Sequence, residues 1–575
     1  MEANNTSSNT QTLNNDGLQD KDLESQTDLA HEPEPFYEIV LTTEKPTKSL
    51  LTHPWSGKGT DDDPFIVEFI RDDPRNPKHF KKWQKWTFCM IMATATLGVA
   101  MGSSAYTGGT IQVIEEFNCT EEVATLGLSL FVLGFAIGPL FWAPMSELYG
   151  RQITFFISFG AYTAFNAGSA GAKNIQSLLI LRFFAGAFGS SPMTNAGGVI
   201  SDLFEANERG LAATLFSAAP SMGPIAGPIM GGFVGETVGW RWIMGVVTIY
   251  TGVSWIVASL VVPETYAPTL LQRRAAALSK ETGKCYISAL DKGRDKTPAQ
   301  IFRVTLARPW QLLFHEPICL LLSIYISIVY GTLYLTFGAF PIVFEEHRGW
   351  SQGISGLAFL GIAVGMLLGI VYFWWDNNKR YVRVAESSPH GFAPAEARLP
   401  PTQVASICLP IGLFWFAWTN YPSIHWIVPI IAVAPFGFGL NLLFVSIINY
   451  LIDCYVIYAA SALAANAVLR SLFGFAFPLF TQQMYDRLGI HWASSIPAFL
   501  TVLCLPFPFY FYKYGEKIRR KCKYAAHAAQ MLDLMRRAEL EKPTSTENPG
   551  SQTAEETNGP SSPRETQPNK MMKPE

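Results

Sequence analysis

Long apolar runs alternate with short polar breaks from residue 86 to residue 513. A membrane-spanning helix needs about 20 apolar residues, because the hydrocarbon core is ~30 Å thick and a helix rises 1.5 Å per residue. The pattern predicts twelve spans, at about 86–108, 123–143, 152–172, 177–200, 211–234, 242–262, 317–344, 354–375, 403–420, 424–449, 456–480 and 493–513. The expected fold class is an all-α membrane protein of two six-helix bundles. The organisation that follows is a disordered N-terminus (1–63), a basic and aromatic membrane-proximal segment (64–85), a first bundle (86–263), a central loop (264–316), a second bundle (317–514) and a tail (515–575). The termini are polar and poor in the apolar residues that a packed core requires.

Charge fixes the orientation. Lys and Arg accumulate on the inner side of a membrane. With the N-terminus inside, that side holds Arg71, Arg75, Lys78, Lys81, Lys82, Lys85, Arg151, Arg209, the basic residues of 264–316, Lys379, Arg380, Arg383, Arg398 and the run from Lys517 to Lys523. The outer side holds only Lys173, Arg241, Arg348 and Arg487. Both termini are therefore expected in the cytosol. Asn118-Cys119-Thr120 then lies outside as a glycosylation acceptor at Asn118. No basic-then-apolar signal peptide opens the chain, so the first span is expected to direct its own insertion.

Composition removes several classes of function. Charged residues make up 15% of the chain and the net charge is −3, which gives no case for nucleic acid. The 8 cysteines form no CxxC pair, and no two of the 9 histidines sit at ligand spacing, so no metal, cofactor or metalloenzyme is expected. No GxxxxGK[ST] loop is present, which argues against an ATP-driven pump.

Three features carry chemistry. The turn between spans 2 and 3 holds Glu147, Gly150 and Arg151, an acid and a base four residues apart. They can pair with each other or with helix ends of the other half, holding one state of a gate. The plain alternative is an ordinary inner turn. In span 5, Gly223, Gly227 and Gly231 share one face, so a neighbouring helix can approach closely. Pro224 and Pro228 each remove a backbone donor there, and Gly232 follows. Arg182 in span 4 and Arg470 in span 11 are charges inside spans, which must face a partner or a watery cavity. Asp202 and Asp453, near inner span ends, are candidate proton carriers, gate partners or plain interface charges. A weak internal repeat relates Gly134-x3-Gly138 before Arg151 to Gly365-x3-Gly369 before Lys379-Arg380, as in folds built from parallel halves.

Together the 2–3 turn, Arg182 with Gly186, and GPIAGPIMGG in span 5 resemble three signatures of the major facilitator superfamily. More narrowly, DDPRNPKHFKKWQKW (72–86), GWRWI (239–243), PETYAPTLLQRRA (263–275) and ASALAANAVLRSLFGFAFPLF (460–480) resemble the fungal drug:proton antiporters with twelve spans. The resemblance covers about residues 64–525. It implies a monomeric plasma-membrane exporter of small, often toxic organic compounds, driven by proton entry. It further implies that Glu147, Gly150 and Arg151 form the gating turn, that Arg182 supports proton coupling, and that the span 5 glycines and prolines form the antiport element. Two departures stand out: Glu147 replaces the usual Asp, and Gly338 stands where relatives of the polyamine type often carry an acid. The second argues against cationic polyamines as cargo. An importer, a polyamine or other small-solute transporter, or a non-transporting sensor on the same fold are the competing expectations.

Overall fold

The computed structural model describes residues 36–41, 46–70, 73–291, 298–388 and 393–540. The rest of the expected disordered termini lies outside the described residues. The chain divides into two compact units, Met1–Ala529 and Gln530–Glu575, and what is described of the second is helix up to Leu540.

Twelve helices make up the first unit's two bundles. The first six are α1 (Lys82–Ser104), α2 (Glu121–Tyr149), α3 (Arg151–Ala170), α4 (Ile175–Leu203), α5 (Ala206–Val238) and α6 (Trp240–Val261). The second bundle has α7 (Pro317–Phe340), α8 (Leu360–Asp376, led in by Gln352–Leu357), α9 (Pro400–Trp418) and α10 (Ala434–Tyr455). A long run, Ala459–Cys504, supplies α11 before Gly489 and α12 after it, and α12 continues in Pro506–Arg519. Gly489 has φ 71° and ψ 164°, a left-handed conformation that a side chain would resist. One residue thus replaces the loop expected at 481–492. Gly150 does the same between α2 and α3, with φ 98°. Nine of the twelve lie in stretches that are long and apolar enough to cross a membrane on that ground alone. The other three, α3, α4 and α5, are rich in Gly, Ala, Ser and Thr, small residues that let helices pack closely.

Each bundle is built on close glycine contacts. A Cβ at Gly134 or Gly138 would overlap α4, and one at Gly186 would overlap the Phe131 carbonyl of α2. In the second bundle, a Cβ at Gly361 or Gly365 would overlap the Ile430 and Ala434 carbonyls leading into α10, and one at Gly369 would crowd Phe438. The two Gly-x3-Gly segments therefore do the same packing job, α2 on α4 and α8 on α10.

Part of the region expected to be disordered or merely membrane-proximal is folded. Residues 48–52 form a short helix, and β1 (Phe65–Val67) pairs in parallel with β2 (Tyr286–Ser288) from the central loop. Leu50, Val67, Leu271, Ala275 and Leu278 make a small core between them. Asp73 and Arg274 form an ion pair there at 2.5 Å, and both are almost wholly buried. The described N-terminal segment and the central loop up to Asp291 form one folded layer at the face where the chain enters α1, the termini face.

Candidate functional site

The glycine face of α5 packs on α1. A Cβ at Gly223 would overlap Ala100, one at Gly227 would overlap Ser104, and one at Gly231 would overlap the Ala105 carbonyl. The prolines have a defined consequence. Pro228 lacks an N–H, so the Pro224 carbonyl four residues earlier loses its helical donor. Ser104 Oγ donates to that carbonyl at 2.8 Å. The helix then runs through Pro220, Pro224 and Pro228 without interruption. On its other side α5 meets the second bundle: Gly232 abuts the Gln352 carbonyl, and Gly356 abuts Pro228.

Arg182 is fully buried in α4. Its guanidinium donates to three backbone carbonyls: Gly127 at 3.0 Å, Gly102 at 2.8 Å and Ser103 at 3.0 Å. It also stacks over Phe131 at 4.4 Å and Tyr106 at 5.1 Å. Among the described residues no carboxylate bonds to it. The partner that a charge inside a span requires is here a set of carbonyl dipoles from α1 and α2, which solvate the cation without neutralising it. Beside it, Ser103 Oγ and Tyr334 OH are 3.0 Å apart, and Tyr330 OH donates to Tyr334 OH at 3.3 Å. This joins α1 to α7 across the two bundles.

At the termini face, Arg151 opens α3. Its Nε lies 3.3 Å from Asp202 Oδ2 on α4, and its NH1 donates to Ser146 Oγ at 2.7 Å. Glu264 accepts from the Arg151 and Gln152 amides at 2.9 and 3.3 Å, so a carboxylate caps the start of α3. Glu147 is exposed. The second bundle repeats the arrangement. Arg398, just before α9, binds Asp453 at 2.9 Å and Asn377 at 3.2 Å, and stacks on Tyr381 at 3.6 Å. Asp376 and Arg380 pair along their own helix at 2.6 and 2.7 Å.

At the far face the bundles touch. Glu236 accepts from the Gly353 amide at 3.0 Å, and Gln483 donates to Glu122 at 3.5 Å. With Gly232–Gln352 and Gly356–Pro228, these contacts lie at the opposite ends of the helices from the α2–α3 turn.

The profile of the Major Facilitator Superfamily matches residues 87–478. The chain belongs to that superfamily. It is 57% identical over 520 residues to the major facilitator superfamily multidrug transporter mdrA of Aspergillus fumigatus, over 90% of this chain and 85% of the relative. It is 54% identical over 493 residues to the efflux pump FUB11 of Gibberella moniliformis, over 85% and 82%. Its fold matches the solved proton:xylose symporter XylE bound to 6-bromo-6-deoxy-D-glucose, with TM-score 0.55 and 16% identity, over 76% of this chain and 96% of that one.

As a major facilitator chain it places the expected residues in three separate groups. The α5 glycines and prolines sit at the α1 seam and the far-face contact. Arg182 sits beside that seam. Arg151 with Asp202, and Asp453 with Arg398, sit at the termini face. The repeat expected Arg151 to correspond to Lys379-Arg380; the contacts match it to Arg398. Asn118 is exposed, with φ 47°, outside all three groups. Sequence reasoning passed over Ser103, Ser104, Glu264, Tyr330 and Tyr334. Glu264 carried a usable signal, an acid directly after a span. The hydroxyls carried none, because serine and tyrosine are common in spans.

Proposed function

We propose that this protein exports small, hydrophobic organic compounds, such as toxins, drugs or secondary metabolites, by proton-coupled alternating access at the plasma membrane. The observation that carries the reading is the far-face interlock of Gly232, Gly353 and Gly356. With the termini in the cytosol, this is a state closed to the outside. The similarity to a multidrug transporter and to an efflux pump supports export as the direction.

In this reading Gly150, Arg151 and Asp202, with Glu147 at their edge, form the inner gate of the first bundle. Arg398 and Asp453 form that of the second. Asp202 and Asp453 are the candidate proton carriers, since each is a half-buried carboxylate whose arginine partner can release it when the gate moves. Arg182 supports coupling by holding α1 against α2 and α4. Gly223, Pro224, Gly227, Pro228, Gly231 and Gly232 keep the α1–α5 seam too tight for ions to leak. At Gly338 a Cβ would already stand 3.2 Å from Thr481, and no acid is there for a polycation.

The test is accumulation of a neutral fluorescent drug in cells with and without the gene. Faster accumulation in the deletion strain supports export; slower accumulation rejects it.

A further inference from the structure

Arg470 differs from every other arginine described above. It lies midway along α11, between the rings of Tyr330 on α7 and Phe444 on α10, with its guanidinium carbon 4.8 Å from each centroid. Among the described residues its guanidinium has no hydrogen-bond or ion-pair partner, and its Nε is buried without one. Arg182, which is fully buried, is served by three carbonyls instead. No acid pairs with Arg470 among the described residues: α7 contains none, and the acids of α2, α8, α10 and α11 stand only near helix ends, at Glu121, Glu122, Glu147, Asp376, Asp453 and Asp486. The ring faces attract the cation but use none of its five N–H donors. Those donors form a planar fork that fits a carboxylate with two parallel hydrogen bonds.

We propose that Arg470, flanked by Tyr330 and Phe444, is the binding site for the anionic group of the cargo, and that flat aromatic carboxylates are the preferred class. The two rings give a planar substrate its stacking surface while the arginine fixes its acid. Arg470, Tyr330 and Phe444 are all half-buried, which leaves the site open to a ligand. The site also connects to the contact between the bundles. The Tyr330 hydroxyl donates to Tyr334, and Tyr334 meets Ser103 of α1. A carboxylate that draws the Tyr330 hydroxyl toward itself weakens that link, so occupancy and closure are joined through one residue.

The inference rests on the export reading but is tested apart from it. Purified full-length protein in detergent is titrated with 2-naphthoate and, as its neutral counterpart, 2-naphthamide, by equilibrium dialysis. The wild type is expected to bind the carboxylate at least about tenfold more tightly, the loss of one charge-assisted fork being worth that much. Arg470→Gln is expected to erase the preference while eluting as the same monodisperse species, and Arg470→Lys to keep part of it. Equal binding of both probes by the wild type, no binding of naphthoate, or a preference that survives in Arg470→Gln overturns the proposal. Export of a neutral dye by wild-type cells is measured in parallel. Its absence sinks the export reading, whereas its presence with no naphthoate preference sinks only this inference.

Discussion

Ser104 of α1 donates its hydroxyl to the Pro224 carbonyl of α5 at 2.8 Å, replacing the helical donor that Pro228 cannot provide. The proline and the serine therefore belong to one device, and the bond ties two helices at their tightest seam. Ser104→Ala is expected to destabilise the protein by about 1 kcal/mol, the usual scale for a hydrogen bond between membrane helices. In a Pro228→Ala background the carbonyl regains its own helical donor, and the cost of Ser104→Ala should fall by half or more. A double-mutant cycle on thermal unfolding in detergent checks this. Equal costs in both backgrounds would show that the serine does not serve that carbonyl.

Arg182 predicts a loss with a specific profile. Arg182→Gln supplies two N–H donors for the three carbonyls of Gly102, Ser103 and Gly127, so at least one is left without a donor, at about 1–3 kcal/mol. Export should fall by an order of magnitude or more, and thermal stability should fall with it. Arg182→Lys, with a compact charge and no fork, should recover only part of both. Full export in Arg182→Gln would remove this arginine from the account.

At the termini face the prediction separates two acids. Asp202 touches Arg151, whereas Glu147 is exposed. Asp202→Asn should shift the gate by about 1.5–3 kcal/mol, the range for a hydrogen bond to a charged group. Glu147→Gln should change export by no more than about twofold, as for a solvent-exposed charge. Initial export rates of the two variants decide it. A larger effect for Glu147 would restore the local pair.

Breaking the Asp73–Arg274 pair should loosen the folded layer at the termini face. Removing one partner of a buried pair typically costs about 3–5 kcal/mol, because the other charge stays buried alone. Asp73→Asn is expected to expose the segment around β1 to limited proteolysis while the bundles stay intact. Unchanged digestion would mean that the β1–β2 pairing holds the segment without the ion pair.

These cases show where the sequence was readable. The spans were legible because hydrocarbon demands an apolar run of fixed length; most ends differ by a few residues, as in 211–234 against Ala206–Val238, and span 10 departs most, 424–449 against Ala434–Tyr455. The α5 glycine face was legible because a four-residue period is local. Partners were not. Spacing suggested Glu147 for Arg151, but tertiary packing brought Asp202, 51 residues away. The β1–β2 layer gave no signal either, since strands of three residues are too short to show a period. For Arg470 the sequence posed the right question, a charge in a span, but its two ring partners, and the lack of a hydrogen-bond or ion-pair partner among the described residues, could be read only from the structure.

The central claim is proton-driven export, and reconstitution tests it most directly. Purified protein is placed in liposomes, sorted by orientation through protease access to the termini, and given a neutral fluorescent organic compound on the side that carries the termini. An imposed gradient, acid on the opposite side, should drive the compound to that acid side and should do so more slowly without the gradient. Movement that ignores the gradient, or runs toward the termini side against it, would contradict the account.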